Sequence, residues 1–75
     1  MIIRTSSGEE LQCGENGMQT AVIACAALMR FPWIELVERD TGNTSLWTAG
    51  ERDERGTPRQ IFIETGDDVQ IVLNS

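Results

Sequence analysis

The chain contains no lysine, no histidine and no tyrosine. Without lysine and histidine the only side-chain bases at neutral pH are carboxylates, so a serine, threonine or cysteine nucleophile lacks its usual activating partner. Without histidine, Cys13 and Cys25 cannot complete a structural zinc site within one chain. No apolar run approaches the ~20 residues that cross a bilayer as a helix. Cations are few: six arginines stand against twelve acids in 75 residues, a formal net charge of −6. Such a surface repels phosphates, which argues against direct nucleic-acid binding and against anionic membranes.

The acids that are present form no catalytic pattern. Glu9-Glu10 and Asp67-Asp68 fall in expected turns, and neighbours along a strand point to opposite faces rather than forming a carboxylate pair. Glu51, Asp53, Glu54, Asp67 and Asp68 offer oxygens, but their spacing matches no twelve-residue calcium loop. Gly14-Glu15-Asn16-Gly17 lacks the lysine of a phosphate-binding loop, and Asp40-Thr41-Gly42 reads as a turn. The sequence therefore predicts no enzyme, no cofactor and no metal. Met1-Ile-Ile-Arg runs straight into polar residues, which predicts no secretory leader, a cytoplasmic setting and two reduced thiols.

A chain of this length makes one domain, residues 1–75. Residues 2–5 and 9–13 flank Ser6-Ser7-Gly8 and read as a hairpin. Residues 17–30 are rich in alanine, leucine and methionine and read as a helix, with Asn16 as its cap and Pro32 as its stop. Strands follow at 33–39, 44–49, 59–64 and 69–74, with turns at 40–43 and 65–68 and a charged loop at 50–58. The order ββαββββ predicts an α+β fold: an antiparallel sheet of five to six strands with one helix packed on one face. The alternative is a small all-β barrel.

The stretch TAVIACAALMRFPW, Thr20 to Trp33, is almost devoid of polar side chains. Its spacing predicts a core stripe of Met18, Val22, Cys25 and Met29 flanked by Ala21 and Leu28, leaving Ile23 and Ala27 outside. The hairpins raise the same difficulty. With Thr41-Gly42 as a turn centre, Leu36 faces Trp47 and Ile34 faces Ala49, while Trp33, Val37 and Leu46 point the other way. With Gly66-Asp67 as the second centre, Phe62 opposes Ile71 beside Val69 and Leu73, and Ile61, Ile63 and Val72 point away. One helix covers one face, so a patch drawn from Trp33, Val37, Leu46, Ile61, Ile63 and Val72 is expected to meet a second chain.

The opening MIIRTSSGEELQCGE resembles the start of the carbon storage regulator family, with an Ile-rich strand, Gly-Glu, Leu, and Gly with an acid. That family consists of RNA-binding β dimers. The resemblance is confined to residues 1–15 and needs a gap. Beyond it the chain is acidic and helical where that family has strands, so no residue role is carried over.

These readings converge on a small acidic, non-enzymatic protein-binding module. It is expected to act as a homodimer that docks to another protein, as phage or mobile-element accessory and inhibitor proteins do. Trp33, Val37 and Leu46 are the expected contacts on the patch, with Arg52 and Arg55 in the charged loop as a second contact region. Two other functions compete with it: an acidic mimic that blocks a nucleic-acid-binding protein, and a structural subunit of a larger assembly.

Overall fold

The computed structural model describes residues 1–13 and 17–73. The elements run β1 (Ile2–Thr5), β2 (Glu10–Gln12), α1 (Gly17–Leu28), β3 (Trp33–Val37), β4 (Thr44–Ala49), β5 (Gln60–Thr65) and β6 (Asp68–Leu73). They form one six-stranded sheet in the order β2-β1-β3-β4-β5-β6, antiparallel throughout. The fold is α+β, with the helix packed on one face. The sheet is open and ends at β2 and β6, so the closed barrel is not formed. The expected Asn16 cap and the strand end at Asn74 lie outside the described residues.

Turn chemistry sets the register. Between β1 and β2, Gly8 takes φ 92° and its N–H donates to the Thr5 carbonyl at 3.0 Å, a type I turn closed by a glycine bulge. Between β5 and β6 the loop is two residues, and Gly66 at φ 60° supplies the left-handed first position it demands. Between β3 and β4 the structure departs from expectation. The loop has four residues, 39–42, closed by the Glu38 N–H on the Asn43 carbonyl at 2.9 Å. Trp47 therefore sits opposite Ile34, and Leu36 opposite Ser45. A slip of two residues preserves which side chains share a face, so the expected faces survive the error.

Of the expected helix stripe only Leu28 is buried, and the helix turns the rest of it outward. Thr20, Ala24, Ala27 and Leu28 are its buried residues, and Ile23 packs against the core beside them. Met18 is 77% exposed and Leu28 is fully enclosed; Val22, Cys25 and Met29 also face outward. Apolar residues run almost all round this helix, so periodicity offers two stripes and does not choose between them. The stripe that wins carries the small side chains Ala24 and Ala27, which bring the helix axis close to Ile3 and Ile34 on the sheet. Both isoleucines have no exposed surface. Cys13, Leu36 and Ile61 complete the buried cluster, with Met1, Phe31, Trp47, Ala49 and Ile63 around it.

The packed face makes a direct test. Leu28→Ala is expected to cost about 2–5 kcal/mol in urea unfolding, because it leaves a cavity in the core. Val22→Ala should change stability by less than about 0.5 kcal/mol. Equal losses at Val22 and Leu28 would mean that the helix is turned the other way.

Candidate functional site

Cross-strand partners share a face, so the pairing of β4 with β5 joins the two hairpins into two continuous surfaces. Ile34, Trp47 and Ile63 line up on the helix side. On the other side one row runs Trp33, Thr48, Phe62, Ile71, and the next runs Glu35, Leu46, Glu64, Val69. Leu73 extends this second surface at one end and Val37 at the other. No described part of the chain lies over it. Trp33 is 39% exposed, and Leu46 is exposed beside it. Val69, Ile71 and Leu73 are 60, 59 and 71% exposed.

Of the expected contacts, Trp33, Val37 and Leu46 are brought together on this helix-free face. The rest of the expected patch is corrected. Ile61 is buried in the core, Ile63 packs against it, and Val72 points to the helix side. Parity within each hairpin is readable from the sequence, but the register between β4 and β5 is not. That register puts Phe62, and not Ile61, on the face of Trp33. Phe62, Ile71 and Val69 join this face through that register, and Gly50 beside the Phe62 ring is its trace in the sequence. A Cβ on Gly50 would stand 2.9 Å from Phe62 Cε2, so only glycine leaves the ring room to lie there.

Charge frames one side of this surface. Arg4 Nη1 donates to Glu35 Oε1 at 3.1 Å and Arg4 Nη2 approaches Glu10 Oε1 at 3.5 Å, tying β2, β1 and β3 together. Both pairs are largely exposed, and their contribution to stability is small. They make the β1–β2 half of the face polar and leave the apolar strip over β3 to β6.

Arg52 and Arg55 lie apart from the strip. The Arg52 guanidinium donates to the Leu28 carbonyl at 2.6 Å, to the Gly56 carbonyl at 2.8 Å and to the Phe31 carbonyl at 3.1 Å. It satisfies the last carbonyl of α1 and that of Phe31 just beyond it, and so ties the 50–58 loop to the end of the helix. Arg55 is exposed at the loop tip, where Asp53 Oδ1 accepts the backbone N–H groups of Arg55 and Thr57 at 2.8 and 3.0 Å. The structure does not bring either arginine to Trp33.

Concave sites offer little chemistry. A cleft of about 500 Å³ lies between Met1, Gln12 and Cys13 and the turn at Glu38 to Thr41. Burial pushes the Cys13 thiol up from its ordinary value, against a smaller opposing pull from the Met1 amino group. A raised pKa lowers the thiolate fraction, the reverse of what a nucleophile requires. Among the described residues no three metal-binding side chains converge, and no helix is long and apolar enough to cross a membrane. No protein-family signature, curated protein or solved structure matches the chain.

Two measurements check this geometry. Arg52→Ala should lower unfolding free energy by about 1–3 kcal/mol. Arg52→Lys should recover only part of it, since one ammonium cannot fork to Leu28 and Phe31 together. A thiol reagent at mildly alkaline pH should label Cys25 rapidly, and Cys13 only after denaturant is added. Equal rates in the folded protein would contradict the burial of Cys13.

Proposed function

We propose that the chain is a non-enzymatic protein-docking module, acting as a pair of copies, whose contact surface is the helix-free face around Trp33. One observation carries this reading: Trp33, Leu46, Phe62, Val69 and Ile71 lie side by side on a face that no described residue covers. Contiguous apolar patches on small proteins mark interaction sites. Size supports the same reading. The folded chain exposes 5250 Å², whereas a monomeric protein of 8.3 kDa exposes about 4,600 Å² by mass scaling. The surplus, roughly 650 Å², approaches the ~800 Å² that each partner contributes to a standard interface.

Charge narrows the partner. Glu35 and Glu64 flank Leu46 within the strip, on a chain of net charge −6. This favours a protein that offers an apolar patch bordered by arginine or lysine. Trp33 is its anchor, a residue type that often carries binding energy. The free thiols Cys13 and Cys25 support a reducing, cytoplasmic setting.

Retention of a partner from host lysate on tagged protein, with Trp33→Ala alongside, tests the reading. The wild type should retain a protein that Trp33→Ala releases, and retention should persist at about 0.5 M salt, where surface charge is strongly screened. Identical sets on both baits would refute docking at Trp33. Loss of the partner with rising salt, unaffected by the substitution, would instead favour acidic mimicry.

A further inference from the structure

The two edges of the sheet are unlike. β2 has three residues, and its Glu10 is held in an ion pair with Arg4. Short, charged edges resist pairing with other chains. β6 has six residues, Asp68–Leu73, with no proline, no cation and no bulge in its register with β5. Its one charge, Asp68, sits at the end beside the turn. An apolar edge of this length without a guard is a template for another strand.

The turn decides which backbone groups are free. In a two-residue hairpin the flanking pair, here Thr65 and Asp68, exchanges both hydrogen bonds, and hydrogen-bonded pairs then alternate along the strands. Gln70 and Val72 therefore turn their N–H and C=O groups inward to β5. Val69, Ile71 and Leu73 turn theirs outward. These same three residues place their side chains on the helix-free face. One set of residues thus presents both unpaired backbone and exposed apolar surface.

We infer that β6 is the seam between two copies of this chain, which pair antiparallel about a two-fold axis at Ile71 to make one continuous twelve-stranded sheet. The inference rests on the paired-copy reading above and names the surface that makes the pair. Centring on Ile71 sets Ile71 against Ile71 of the second copy, and Val69 against Leu73 in both directions. All the outward groups of the three residues are then used, six hydrogen bonds in total. Centring one residue earlier, at Gln70, would use four. On the helix side Gln70 meets Val72, and no charge faces a like charge. Asp68 of each copy lies at an opposite end of the seam, whereas parallel pairing would stack the two together. A two-fold axis through the sheet also keeps the faces consistent. The row Trp33, Thr48, Phe62, Ile71 runs on into the same row of the second copy in reverse.

Light scattering on the intact chain at micromolar concentration, with Ile71→Lys and Ile71→Pro, tests the seam. The wild type should have twice the 8.3 kDa mass of one chain. Both variants should fall to the single-chain mass with unchanged circular dichroism. Lysine guards an edge, and proline removes an N–H that points away from β5. A wild type of single-chain mass would overturn the seam. A wild type and both variants that all remain paired would also overturn it, while leaving the paired-copy reading standing on another surface. If the variants do not fold, amide exchange on the wild type decides. The Val69, Ile71 and Leu73 amides should exchange at least about tenfold faster on dilution below the pairing range; exchange independent of concentration would overturn the seam. The lysate experiment with Trp33→Ala depends on docking and not on where the copies join, so the two failures are separable.

Discussion

A twelve-residue helix has to shelter a six-stranded sheet, and it is too small to do so. A helix of that length is about 18 Å long and about 10 Å across. Six strands at ~4.8 Å spacing span about 24 Å. The helix covers the part of one face built from β1, β3 and the near ends of β4 and β5, where the buried cluster lies. The opposite face and the β6 margin lie outside its reach. The small core, the large accessible surface and the two-sided apolar pattern all follow from this ratio of lengths.

Several polar side chains hold the chain in shape. Thr5, almost fully buried, accepts the Glu9 N–H with its hydroxyl and shares a hydrogen bond with Ser7. Asp53 organises its own turn, and Arg52 closes the helix end. Thr41 donates to Glu38 across the β3–β4 turn. Each contact fixes a local corner, and none gathers an acid, a base and a nucleophile around a cavity.

Much of the fold was legible. Glycine-bearing turns, an alanine-rich stretch ended by proline and alternating strands gave the element order, and strand ends differed by a residue or two. What escaped was relational. The β3–β4 register slipped by two, because Gly42 closes a four-residue loop and is not half of a two-residue one. The packed side of the helix could not be chosen, because Met18, Val22 and Met29 form as good a stripe as Ile23, Ala24 and Ala27, and Leu28 borders both. Close approach selected the smaller set, and close approach is a property of the assembled sheet. The same gap misplaced half of the candidate surface. Trp33, Val37 and Leu46 were grouped correctly from one hairpin, while their true neighbours Phe62, Ile71 and Val69 required the pairing of β4 with β5. Arg52 reads as a contact residue of the charged loop, and nothing local reveals that the Leu28 and Phe31 carbonyls it binds lie 24 and 21 residues earlier.

The two tryptophans stand on opposite sides of the sheet. Trp33 lies on the bare side, and Trp47 lies half-buried on the helix side, its indole N–H donating to Ser45 Oγ at 3.2 Å. The chain thus carries a separate intrinsic fluorophore for each surface. With either indole replaced by phenylalanine, the emission of the other becomes a private report on its own side, read without any attached dye.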